Sequence, residues 1–287
     1  MIIAIVGPTA VGKSDIAIDL AERLDAEIVS ADSMQVYVGM DIGTAKVPEA
    51  ERRGVTHHML DVWSVDHEVS VVEFRDRARA CIEEIEARGR TIVIVGGSWL
   101  YVQAILDEMD FPGTDPQVRA RLEAELVDVG PEALHARLGS LDPDAAAAIL
   151  PTNGRRIVRA LEVVELQGSF TARLPEPRPW REARWIGLSC DRLVLDARIS
   201  ERVDRMWKLG LIEEVRALSP RMGRSASGAL GYRQVLEALQ GDGDMELARQ
   251  HTIDGTRRFA RRQERRFRQD TRVEWVPAGT SASDLLR

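Results

Sequence analysis

The chain has 287 residues, of which 44% are hydrophobic and 30% charged, and a formal net charge of −7. That length buries a substantial core as one large domain or two smaller ones, and the balance of apolar and charged residues is that of a globular protein in water. No run approaches the roughly 18 uninterrupted apolar residues of a membrane span, and Cys81 and Cys190 lie far apart without a metal-ligand pattern, which excludes a zinc module and implies reduced, buried thiols.

In chain order, an apolar strand at 2–6 runs directly into Gly7-Pro8-Thr9-Ala10-Val11-Gly12-Lys13-Ser14, a full match to the phosphate-binding loop G-x-x-x-x-G-K-[ST]. Residues 15–24 then have helical apolar spacing, so the loop sits at a strand end and opens a helix, where backbone N–H groups point at an anion. Lys13 would neutralise phosphate charge, and the Ser14 hydroxyl would occupy a coordination position on Mg²⁺. The lysine is informative because only Lys13, Lys46 and Lys208 occur among 39 basic residues. A start this close to a strand and its loop is unlike a cleavable signal peptide, and a cytoplasmic protein is expected.

A second strand, 27–30, runs into Asp32, placing a carboxylate at a strand's carboxyl end and, in a parallel sheet, next to the phosphate loop, where it can order Mg²⁺, accept a proton from a nucleophile or cap the following turn. A helix is expected at 71–88 and a third strand at 91–95. That strand ends in Gly96-Gly97-Ser98 without the aspartate that ATPases keep there, which counts against ATP hydrolysis. After a helix at 99–108 the pattern changes to helices alone, at 116–128, 131–140, 143–149 and 154–167. The proline-rich 174–179 segment then leads back to a strand at 185–188. Helices at 191–218, 228–240 and 244–269 and a strand near 273–276 complete the chain. The expectation is an α/β fold: a P-loop parallel sheet with helices on both faces, formed by 1–113 and 181–287, plus a small all-helical insertion domain at 114–180.

Charge is unevenly distributed. Residues 257–272 contain eight arginines and two acids, a local net of +6, which leaves −13 on the rest of the chain. Arg155, Arg156 and Arg159 form a second basic group on one helical face. Either could be a solvated face or a grip on a phosphate backbone.

Taken together these motifs resemble the bacterial tRNA dimethylallyltransferases, also called tRNA isopentenyltransferases, over nearly the whole length. The resemblance rests on the phosphate loop; on Asp32-Ser33-Met34-Gln35-Val36-Tyr37 running into Gly39-Met40-Asp41-Ile42-Gly43-Thr44-Ala45-Lys46; on His57-His58 with Asp61; and on Val95-Gly96-Gly97-Ser98 with Leu100-Tyr101. It extends through 155–163, Gly231-Tyr232-Arg233 and Thr256 to Gln263. The pattern is departed from at Thr56, Trp99 and Arg265-Arg266, none of which touches the candidate chemistry.

The resemblance implies transfer of a dimethylallyl group from dimethylallyl diphosphate to the N6 amine of the adenine 3′-adjacent to the anticodon in tRNAs reading codons that begin with U. It implies Asp32 as base and Arg202, with Ser14 and Mg²⁺, at the leaving diphosphate. A flipped adenine would meet Asp32, Ser33, Met34 and Gln35. The tRNA anticodon stem-loop would be held by Ser98, Arg119, Arg155, Arg156, Arg159, Gly231, Tyr232, Arg233, Arg261, Arg262, Gln263, Arg265, Arg266 and Arg268. A monomer with no membrane association is expected. His57 and His58 are expected in loop packing or facing substrate. The rival enzyme reading is a small-molecule kinase that places ATP on the same loop.

Overall fold

In the computed structural model, residues 1–171, 177–241 and 243–286 are described, so the first half of the proline-rich 174–179 segment lies outside the described residues. Two compact units form: Met1–Asp107 with Pro179–Arg287, and Glu108–Arg178.

The larger unit is built on six parallel strands: β1 (Ile2–Val6), β2 (Ala26–Ser30), β3 (His57–His58), β4 (Thr91–Gly96), β5 (Arg184–Ser189) and β6 (Val273–Pro277), in the order β3-β2-β4-β1-β5-β6. Its helices are α1 (Lys13–Leu24), α2 (Val71–Ala87) and α3 (Trp99–Leu106) before the smaller unit. The smaller unit contains α4 (Pro116–Leu141), α5 (Pro143–Ala147) and α6 (Gly154–Gln167). After it come α7 (Arg192–Lys208), α8 (Leu211–Leu218), α9 (Arg224–Ser227), α10 (Tyr232–Gln240), α11 (Met245–Phe267) and α12 (Ala282–Leu285).

Successive strand side chains point to opposite faces, and β1 is apolar throughout because both faces are covered. Ile2, Ala4 and Val6 join a core with α2, α3 and α10, while Ile3 and Ile5 join a second core with α1 and α7. Cys81 is buried as expected; Cys190 is only half-buried. No helix among the described residues is long and apolar enough to cross a membrane.

Three local features differ from the sequence expectation. The 191–218 helix is two helices, because Gly210 adopts φ 99° and ends α7; a positive φ of this kind is the usual glycine stop. His57 and His58 form an edge strand on β2, too short to leave a period in the sequence. His57 Nδ1 bonds to the Val55 carbonyl oxygen (2.9 Å), and His58 Nε2 to Glu27 (2.6 Å). Thirdly, β4 lies between β1 and β2, so Asp32 is one strand further from the phosphate loop than an adjacent-strand arrangement would place it.

The helical unit has its own core of Leu122, Leu134, Leu138, Ile157 and Leu161. Gly130 (φ 81°), followed by Pro131, breaks α4 into two stretches that match the expected 116–128 and 131–140 helices.

Candidate active site

β1 connects toward β2 on one side and β5 lies on its other side, so the loops after β1 and β4 flank a point where the strand order reverses, the usual ligand crevice of such sheets. The phosphate loop runs so close to β5 that a Cβ on Gly7 would lie 2.8 Å from the Leu188 carbonyl oxygen. Gly12 (φ 100°) turns the chain into α1, and Ala10 holds φ 64°. A left-handed alanine costs on the order of 1 kcal/mol, so the packing around the loop imposes its shape.

The loop lines a cavity of about 960 Å³ together with Asp32, Gln35 and Arg202. Lys13 Nζ donates to the Pro8 carbonyl (2.7 Å). Arg202 of α7 donates from Nη1 to Thr9 Oγ1 (3.2 Å) and from Nη2 to the Thr44 carbonyl (3.4 Å). Desolvation, followed by the Arg202 charge, lowers the Lys13 pKa from 10.5 to about 7, with Asp32 opposing the shift. Burial also lowers the Arg202 pKa, again against the pull of Asp32. Two desolvated cations with one carboxylate nearby make a site that favours a polyanion.

That cost predicts a pH signature. The folded pKa of Lys13 lies below its unfolded value, so between about pH 7 and 10.5 the unfolded chain binds more protons and stability rises with pH. Below about pH 7 the ammonium is charged in both states and its burial penalty is fully present. Lys13→Met should therefore melt above the parent chain at pH 6, with the gap closing toward pH 10; thermal melts across that range measure it, and a constant gap refutes the assignment.

Asp32 Oδ1 accepts the N–H groups of Met34 (2.8 Å) and Gln35 (3.4 Å), so the carboxylate caps its turn and lines the cavity at once. Gln35 Nε2 donates to the Thr44 carbonyl (3.2 Å). Ser33 and Met34 share the turn but do not line the cavity, and Met34 packs on the core. Ser98 sits half-buried at the N-cap of α3 with no side-chain capping bond, and Trp99 beside it packs against the core.

Gln263 departs from its expected RNA-contacting place. It is 7% exposed, and its Oε1 accepts the Thr9 N–H (2.8 Å), tying α11 to the phosphate loop. A Cβ on Gly97 would overlap the Gln263 amide nitrogen, so the close approach requires that glycine. Gly231 and Tyr232, expected at the RNA, are both buried, and the Tyr232 hydroxyl donates to Glu214. Arg233 is exposed beside Glu237 (3.7 Å).

The arginines of α11 separate by face. Ala260, Gln263 and Phe267 point inward. Arg258, Arg261, Arg262, Arg265 and Arg266 are exposed at i, i+3, i+4, i+7 and i+8, one continuous stripe. Arg262 lies 5.8 Å from the Phe259 ring, Arg266 reaches Gln269, and Arg261 reaches Asp196 at 3.6 Å. Arg268 is paired with Glu264 and stacked on Trp275, and Arg257 and Arg272 are held by Ser200, Asp107 and Asp270. Arg257 and Arg272 are only partly exposed and support the structure, whereas Arg268 stays exposed beside its partners.

In the helical unit, Arg119 and Arg159 both pair with the fully buried Glu162, which also accepts the Asp115 N–H (3.1 Å). Against the desolvation that would raise it, these partners hold the Glu162 pKa below the usual range. Arg159 further donates to the Pro112 and Gly113 carbonyls. Arg155 and Arg156 are exposed on α6.

A family profile described as IPP transferase matches residues 35–270. The chain is 59% identical to a tRNA dimethylallyltransferase of Thermobifida fusca, covering 99% of this chain and 92% of that protein, and 56% identical to one of Salinispora arenicola, covering 100% and 85%. It is similar to the crystal structure of a tRNA isopentenylpyrophosphate transferase from Bacillus halodurans, with TM-score 0.71 and 42% identity over 96% of this chain and 89% of that one.

Proposed function

The chain belongs to the IPP transferase family and is a tRNA-prenylating enzyme, and from that premise we propose that it moves the dimethylallyl group of dimethylallyl diphosphate to N6 of the adenine 3′-adjacent to the anticodon, in tRNAs reading codons that begin with U. The observation that carries this reading is the meeting of Lys13, Ser14, Arg202 and Asp32 around one cavity at the carboxyl ends of the strands.

An adenine amine is a weak nucleophile because its lone pair is delocalised into the ring. As N6 bonds to C1 of the dimethylallyl group, Asp32 takes the N6 proton and the C–O bond to diphosphate breaks. Negative charge grows on the leaving diphosphate, where Lys13, Arg202 and the phosphate-loop amides stabilise it. Apolar walls of the same cavity, including Val47 and Leu60, suit a five-carbon allyl chain.

The donor set fits Mg²⁺. Ser14, with a hydroxyl, and Asp32, with a carboxylate, both line the cavity beside the phosphate loop, and Mg²⁺ is an ion that takes oxygen ligands, many of them from phosphate and water. Ser14 would hold it, and the ion would supply charge neutralisation to the diphosphate.

Nucleoside mass spectrometry tests the reaction: unmodified tRNA incubated with the protein, Mg²⁺ and dimethylallyl diphosphate should yield N6-(dimethylallyl)adenosine. Folded protein that binds the tRNA but gives no such product overturns the reading. The exposed stripe on α11 would grip phosphates, with Arg262 and Arg265 central. Arg262→Ala should weaken tRNA binding and reduce the slope of log K against log salt by about 0.7 to 0.9 while leaving diphosphate binding intact. Titrations at several salt concentrations read that slope, and an unaltered slope removes Arg262 from the interface.

A further inference from the structure

The loop Asp41-Ile42-Gly43-Thr44-Ala45-Lys46 forms one wall of the cavity, yet its shape is not self-sustaining. Ala45 holds φ 49°, in the left-handed region that non-glycine residues avoid. Two clamps hold it. On one side Lys46 Nζ, itself buried, reaches Asp41, Asp61 (2.6 Å) and the Tyr37 carbonyl (3.1 Å).

On the other side stands Glu214 of α8. Its Oε2 accepts the N–H groups of Asp41 (3.1 Å) and Ile42 (2.8 Å), and its Oε1 accepts the Gly43 N–H (3.1 Å) and the hydroxyl of the fully buried Tyr232. Three consecutive amides converge on one carboxylate, an anion nest filled by a side chain. The fit is tight, since a Cβ on Gly43 would overlap the Tyr232 ring and lie 2.8 Å from Leu211 Cδ1. One residue further on, the Thr44 carbonyl receives both Arg202 Nη2 and Gln35 Nε2.

We infer that Glu214, seated by Tyr232, is a positioning residue for Arg202: it fixes the loop whose Thr44 carbonyl aims the guanidinium at the leaving diphosphate. This rests on the role proposed for Arg202 above. An acid at 214 supplies two acceptor oxygens for four donors. Glutamine cannot replace it, because its amide NH₂ would face N–H and O–H donors. With the loop released, Arg202 loses one of its two anchors, and a small misplacement at a reacting centre costs on the order of 10²-fold.

The test is a double-mutant cycle read by calorimetric binding of inorganic diphosphate and by turnover with tRNA and dimethylallyl diphosphate, on the parent chain, Glu214→Gln, Arg202→Ala and the double variant. Glu214→Gln should weaken diphosphate binding about tenfold and lower kcat about 10²-fold, with the Kd for tRNA unchanged. In the Arg202→Ala background it should do neither. Losses that multiply in the double variant, or parent-like diphosphate binding by Glu214→Gln, overturn the inference. If Glu214→Gln does not fold, Tyr232→Phe keeps the carboxylate and decides. It should weaken diphosphate binding a few-fold, and only where Arg202 is present; equal losses in both backgrounds refute the link. A parent chain that binds diphosphate but transfers nothing to tRNA would refute the proposed reaction, while the diphosphate cycle still judges Glu214.

Discussion

Asp32→Asn should lower kcat for dimethylallyl transfer by about 10²- to 10⁴-fold, the range of a lost general base, while tRNA affinity stays within a few-fold. The substitution is nearly isosteric, and the Asn side-chain oxygen can still accept the Met34 and Gln35 N–H groups that Asp32 Oδ1 now accepts. The turn therefore survives and the proton acceptor does not. One further consequence separates this from general damage: removing the carboxylate takes away a negative charge that lines the same cavity as the phosphate loop and repels a bound polyanion. Diphosphate should bind Asp32→Asn at least as tightly as the parent. Single-turnover product formation and diphosphate titration read both quantities, and near-parent turnover would remove Asp32 as the base.

The second large effect is expected at Arg202. Arg202→Ala should reduce kcat by about 10²- to 10³-fold, comparable to losing one donor to a developing oxyanion. The side chain sits on Thr9 of the phosphate loop and on the Thr44 carbonyl, so it reaches the diphosphate side of the cavity from α7. Its removal also takes away the second-largest cause of the depressed Lys13 pKa, so Lys13 becomes easier to protonate and part of the lost binding is recovered. The diphosphate Kd should consequently rise less than kcat falls. Steady-state and binding measurements side by side provide the comparison, and a pure affinity loss with unaltered kcat would relocate Arg202 to ground-state binding.

Much of the site was legible in the chain. The phosphate loop is encoded within eight consecutive residues, because its function is a backbone shape that local glycines permit. The alternation of apolar strands and helices announced a parallel sheet covered on both faces, and the break to helices alone after Phe111 marked a change of architecture. Composition was a poorer guide to the arginines. Eight arginines in sixteen residues read as one basic helix, but Arg257, Arg268 and Arg272 are occupied by Ser200, Glu264, Asp107, Asp270 and Trp275. The face carrying 258, 261, 262, 265 and 266 is open, and Arg268, though paired, is exposed as well. The period of α11 could have suggested this division, since Ala260, Gln263 and Phe267 recur on the opposite side.

By itself the sequence determined the nature of the ligand's charge, the strand that presents it and the acid available as a base, since each depends on a short segment with its own backbone preferences. Only the tertiary structure decided that β4 separates Asp32 from the phosphate loop, that Gln263 serves that loop across 254 residues of chain, and that Glu214 holds the cavity wall across 171. A buried amide accepts any acceptor that packing brings within hydrogen-bond reach. Which residue supplies it is settled by how helices seat on the sheet, a property of the packed whole that no local spacing records.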